Sequence, residues 1–187
     1  MTTFLNYLKF ARYVFEGTEH PMIEHNGAMV HKNNSEGKPI HGTDAGIKAF
    51  HDWAGGTELK DEHGRPKVHY HGTHKDFAEF QPNPALGNLI FLSPNKSHAG
   101  NFSTAIGANI KPVYVKSSKI YPRTILAHDE HKVGSSARKK GYDAIKVKDS
   151  PTDVENVAVF HPSQIKSAIG NSGAFDKNKN AIHEDQE

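Results

Sequence analysis

The feature that most constrains this chain is its run of short strand-like segments, each cut off by proline or glycine. Pro66-Lys67-Val68-His69-Tyr70 comes first, then Asn88-Leu89-Ile90-Phe91-Leu92-Ser93, then Ile110-Lys111-Pro112-Val113-Tyr114-Val115-Lys116. Gly141–Val147 and Asn156-Val157-Ala158-Val159-Phe160 complete the series. Helical patterns are scattered between these runs and do not alternate with them, which argues against a regular βαβ array. The fold class expected is α+β, with a largely antiparallel sheet and short flanking helices. Pro112 has no N–H for a ladder, so its strand is expected at an edge or at an end.

Helical signals are few. Phe4, Leu5, Leu8, Ala11 and Phe15 share a helical face, so a short amphipathic helix is expected over 3–15, stopped by Gly17. Residues 17–43 are polar and glycine-rich and read as a connector. Thr43 or Asp44 can cap a helix over Ala45–Trp53, with Ile47, Phe50 and Trp53 on one side. A short helix is expected over Lys96–Phe102. A partly helical stretch is expected over 124–140, interrupted at Gly134-Ser135-Ser136, and a helical turn over Gln164–Ile169. From Asp176 onward the chain is charged and asparagine-rich and is expected to be disordered. The division is therefore 1–43, a helix and connector; 44–176, the folded domain; and 177–187, a tail.

Composition excludes several functions. The chain of 187 residues has no cysteine, so disulfides, thiolate catalysis and cysteine zinc sites are ruled out. Its formal charge of +2 gives no electrostatic case for nucleic acid or a membrane surface. No apolar run reaches the roughly 18–20 residues of a membrane span, and the first ten residues lack the basic start and cleavage site of a secretory signal. Histidine is abundant, with 14 residues. His69, His71 and His74 invite a zinc reading, but no second cluster has ligand spacing, and His128-Asp129-Glu130-His131 is not the HExxH pattern. No metal is expected.

The chemistry-bearing residues sit at strand ends. In His71-Gly72-Thr73 a ring donor stands beside a residue whose backbone a ligand can approach closely. Phe91 and Phe102 can offer aromatic faces, which attract a cationic ring. Glu155 heads the last strand, with Asp153 as a nearby competitor. A histidine, an aromatic platform and a carboxylate are the parts needed to hold a dinucleotide and break its glycosidic bond.

In order along the chain, Gly46–Trp53, Asp61–Pro66, Tyr70–Thr73 with Asp76-Phe77 and Phe80, Phe91–Asn95, Gly141–Ile145, Val159–Ala168 and Gly173–Asp176 resemble the ADP-ribosyltransferase domain of phage polyvalent and head-associated proteins. That family is of the His-Tyr-Glu type, related to diphtheria-toxin-like and poly(ADP-ribose) polymerase-like transferases. The resemblance implies a split, twisted β core with NAD in a cleft between two half-sheets, and no metal. His71 would contact the adenosine ribose, the Gly72 backbone would hold the nicotinamide amide, and Thr73 and Ser93 would lie beside the ligand. Phe91 and Phe102 would stack on it. Glu155 with His71 would form the catalytic pair. The family's glutamate position, four residues before the aromatic of the closing Val-Phe-x-Pro, is Asn156 here. A bulge between Glu155 and Val157 is therefore expected, turning Glu155 into the cleft. The function implied is mono-ADP-ribosylation of a host protein or nucleic acid by a phage-encoded enzyme, in the host cytoplasm or associated with the virion. The alternative is a degenerate module that binds NAD or a partner without chemistry.

Overall fold

The computed structural model describes residues 20–103 and 109–183. The helix expected over 3–15 lies outside them. The first described element is a hairpin, β1 (Met22–His25) with β2 (Ala28–His31), inside the stretch read as a connector. Asn26 and Gly27 both take positive φ, at 50° and 76°. Asn-Gly is the pair that a two-residue hairpin turn selects, because both central positions are left-handed.

Helix α1 (Asp44–Ala54) starts where its cap demands: the Gly46 N–H donates to the Thr43 hydroxyl at 3.1 Å. Ile47, Phe50 and Trp53 recur at helical spacing and are buried together with Val68, Tyr114 and Phe175.

Two half-sheets form the centre. One has the order β3 (Val68–Thr73), β5 (Asn109–Val115), β9 (Ile165–Ser167), all antiparallel. The other has the order β4 (Ile90–Leu92), β8 (Asn156–Val159), β7 (Ala144–Lys148), β6 (Ile120–Leu126). Only β6 and β7 are parallel, joined through α3 (Glu130–Lys139). Among the described residues a single bridge connects the halves: Tyr70 and Ser93 exchange N–H···O bonds of 2.7 and 2.9 Å. Beyond Tyr70 the two strands part.

The strand pattern sets three apolar clusters. Ile90, Leu92, Val113, Val115, Val157, Val159 and Ile165 turn inward and form the core between the half-sheets. The outer face of the first half-sheet is covered by α1. Leu89, Ile145, Val147, Ala158 and Phe160 form a third cluster with Ala137 of α3. This is the α+β fold with a split, mainly antiparallel core that the sequence led us to expect.

Several elements differ from expectation. Pro112 lies in a central strand. Tyr70 opposite it sends its own N–H and C=O to Ser93, so Pro112 is at a ladder position where β3 asks for no donor. Gly134 does not interrupt α3 but lies buried within it, where an added Cβ would stand 3.3 Å from a Leu89 methyl. Residues 165–167 are strand β9 after a 3-10 turn at Pro162–Gln164, not a helical turn. The short helix α2 ends at Gly100 (Lys96–Gly100). Residues 176–183 are ordered along the core: Ile182, only 1% exposed, is buried in it, while Lys177, Asn178, Lys179 and His183 are exposed. Among the described residues no helix is long and apolar enough to cross a membrane.

Candidate active site

The site is built where β3 and β4 part. Alternation along β3 sends Val68 and Tyr70 toward α1 and turns His71 the other way. The His71 ring lies edge-on to Phe80 (4.9 Å between centroids) and Phe77 (6.0 Å). Its Nδ1 is 3.0 Å from the Phe91 carbonyl. A ring nitrogen facing a carbonyl must donate, so the proton sits on Nδ1 and Nε2 is left as an acceptor. The ring thus replaces a missing ladder bond at the split. Burial, only partly offset by the Phe91 carbonyl, lowers the His71 pKa, and nearby Lys111 lowers it further. His71 is a neutral imidazole at pH 7.

Gly72 is required by packing. A Cβ there would lie 1.8 Å from the Ala99 carbonyl oxygen. The close approach expected of a ligand is made here by α2 itself. Helix α2 is set by Asn95, whose side chain accepts from the His98 N–H at 3.0 Å. Thr73 and Ser93 are both buried, and both hydroxyls are occupied by local turns: each accepts a backbone N–H two residues on, from Lys75 at 3.0 Å and from Asn95 at 3.1 Å.

The aromatic residues divide. Phe91 packs at the margin of the α3-side cluster, opposite Ala158. Phe102 follows α2 and is 60% exposed, one of the few large apolar side chains left open among the described residues. Its ring meets His98 edge-on at 5.5 Å.

The carboxylate geometry departs from expectation. The β7–β8 register runs regularly through Val147↔Asn156 and Lys146↔Val157, with no bulge after Glu155. Val157 faces the inner core, and Lys146 lies opposite it. Glu155 pairs with Lys146 at 3.0 Å and accepts from the Thr124 hydroxyl at 2.5 Å. Burial alone would raise the Glu155 pKa, but Thr124 and Lys146 hold it below the usual carboxylate range. Asn156 points to the other face. Its Nδ2 is 3.0 Å from Nε2 of His98, and Asp149 Oδ2 is 3.3 Å from the same nitrogen. The structure therefore brings Asn156, His98, Asp149 and Phe102 together beside Gly72's helix, and gives Glu155 a different set of partners. His98 and Asp149 carry no motif that sequence reading could use. His98 was visible only as the third residue after a capping asparagine, and Asp149 only as a loop acid.

Among the described residues no group of three or more His, Asp and Glu side chains is arranged to hold a metal ion.

Residues 61–134 match the family model described as ADP-ribosyltransferase in polyvalent proteins. The matched segment covers less than half of the chain. It includes β3, β4, α2, β5 and β6 and stops within α3, before the strand that carries Asn156. Transferases of this kind use NAD as substrate. No curated protein and no solved structure shows significant similarity to the chain.

Proposed function

We propose that this protein is an NAD-dependent mono-ADP-ribosyltransferase, phage-encoded, that modifies a host macromolecule. The observation that carries the reading is the match of residues 61–134, which places the family's segment on the strands and helix lining the split. NAD would lie across that split. The neutral His71 offers Nε2 to a sugar hydroxyl, and Phe102 offers a face to the cationic nicotinamide ring. In the reaction the bond from the ribose anomeric carbon to the nicotinamide nitrogen breaks, and its electron pair leaves with nicotinamide. The acceptor's nucleophile forms the new bond at that carbon and gives up a proton. The residues that hold the dinucleotide supply proximity, and a fixed polar environment stabilises the oxocarbenium-like centre. No elongation feature stands out, so transfer of one unit is the form proposed.

One observation favours a second reading, an NAD-binding module without chemistry: Glu155 is engaged by Lys146 and Thr124 while an amide occupies the helix face. Incubation with NAD labelled in the ADP-ribose half and a bacterial host lysate separates the two. Label on a protein or nucleic acid supports transfer. NAD binding with no labelled product and no free nicotinamide supports the module.

A further inference from the structure

His98 lies in α2, with its side chain only 14% exposed. Asp149 is the first residue beyond β7, and its Oδ2 is 3.3 Å from His98 Nε2. Asn156 Nδ2 is 3.0 Å from the same nitrogen. An amide N–H cannot donate there while a carboxylate faces the same atom, because Nε2 would then turn a lone pair on an anionic oxygen. With the amide reversed, Nε2–H is shared between Asp149 Oδ2 and the Asn156 carbonyl oxygen, and both contacts are satisfied. A neutral imidazole protonated at Nε2 has a bare Nδ1. Among the described residues Nδ1 of His98 makes no hydrogen bond, and it is not one of their enclosed unpaired atoms. The carboxylate thus fixes the tautomer, and the other nitrogen is left as a proton acceptor. This is the arrangement of a base and the group that orients it.

The pair stands beside the split. Helix α2 is wedged on Gly72 through the Ala99 carbonyl, one residue after His98. The exposed Phe102 ring meets the His98 ring edge-on, 5.5 Å between centroids. With nicotinamide on Phe102, the anomeric carbon that it leaves is next to that ring, and a nucleophile approaching the carbon comes within reach of His98. We propose that His98 is the general base for the acceptor, that Asp149 is its positioning residue, and that the acceptor group is a hydroxyl. This rests on the transferase reading above. The acceptor oxygen bonds to the anomeric carbon as the bond to the nicotinamide nitrogen breaks and its electron pair leaves with nicotinamide. The O–H proton passes to Nδ1. The imidazolium so formed is paired with the Asp149 carboxylate and then returns the proton to water. The base also selects the acceptor. A carboxylate brings no proton to remove, and a guanidinium sets a second positive charge against the forming imidazolium. A hydroxyl is a weak nucleophile until its proton is taken, and an imidazole is the commonest group to take it.

The experiment uses the whole chain, NAD labelled in the ADP-ribose half and a bacterial host lysate as acceptor. It measures NAD affinity by calorimetry beside the rate of label transfer, for wild type, His98→Gln and Asp149→Asn. His98→Gln is expected to bind NAD within about twofold of wild type and to transfer label about a hundredfold more slowly, as loss of a positioned base does. The Asp149 side chain is 45% exposed, so Asp149→Asn leaves the core intact. It is expected to lower the maximal transfer rate about tenfold with the half-saturating NAD concentration unchanged, since an amide no longer fixes the tautomer. A merely structural role would not separate the two. The labelled product is expected to resist neutral hydroxylamine, which cleaves esters of carboxylates and leaves glycosides of hydroxyls intact. Wild-type transfer by either variant, or a hydroxylamine-labile product, overturns the assignment while the NAD reading stands. A loss of NAD affinity that accounts for the lost transfer in His98→Gln makes His98 a binding residue and also overturns it. NAD binding without transfer by the wild type overturns it in favour of the binding module. If the wild type binds NAD at no measurable affinity, both fall.

Discussion

His69 is the residue whose environment makes the sharpest solution prediction. It is fully enclosed, with Nδ1 3.2 Å from the Lys67 carbonyl, and burial pushes its pKa down to about 4. In the unfolded chain the imidazole titrates near 6.5. Between those values the unfolded state binds more protons, so its contribution to stability is complete above pH 6.5 and is lost as pH falls toward 4. The loss is about 1.4 kcal/mol per pH unit, roughly 3 kcal/mol in all. His31, His51 and His71, also lowered by burial, act in the same direction. Urea unfolding at pH 7.5 and 4.5 should show this fall, and His69→Gln should flatten it. An equal pH dependence in wild type and variant would contradict it. At this scale the sequence was partly legible. His71 and Gly72 stand out by residue type and place, but the reason Gly72 must be glycine is the Ala99 carbonyl of helix α2, distant in sequence, which no local pattern reveals. Which face Glu155 and Asn156 take depends on strand register, and a one-residue difference reverses the face.

Among the elements, the strap formed by residues 176–183 helps to hold the His71 side of the split. The Ile182 N–H donates to the Ala78 carbonyl at 2.8 Å, and the Ser167 N–H donates to the Ile182 carbonyl at 2.9 Å. The Asn180 amide reaches Glu79 at 2.9 Å. The buried Lys166 amine donates to the carbonyls of Lys179 and Ala181. The strap thus fastens the loop carrying Phe77 and Phe80, the two rings packed on His71. Ile182→Ala should cost about 2–4 kcal/mol, as large-to-small changes in a packed core do, measured as a lower urea midpoint with an unchanged slope. A loss under 0.5 kcal/mol would show that the strap is not part of the core. Composition hid this element: Lys, Asn and Asp dominate it, and the one apolar residue that anchors it gives no periodicity. The β1–β2 hairpin was legible in principle through Asn26-Gly27, but its strands include polar residues that read as a connector. Strands β3, β4, β5, β7 and β8 were legible because their inward residues are β-branched or aromatic and their ends carry glycine, proline or polar residues.

The whole molecule is two half-sheets pinned at Tyr70–Ser93 and parting beyond it, with α1 and α3 covering their outer faces and α2 wedged against Gly72. Fold class was legible because the spacing of short strands without βαβ alternation restricts the architecture. The parallel β6–β7 pair and the central place of Pro112 were not, since strand order depends on contacts distant in sequence. The proposed function requires NAD to bind at this split with His71 as one of its contacts. The most direct measurement is the shift in thermal midpoint with NAD in the wild type and in His71→Ala. A ligand that binds only the folded state stabilises it by mass action, about 2.7 kcal/mol at a hundredfold excess over Kd. A dose-dependent rise is expected in the wild type, much reduced in His71→Ala at the same NAD concentration. No shift in the wild type, or an equal shift in both proteins, would contradict it.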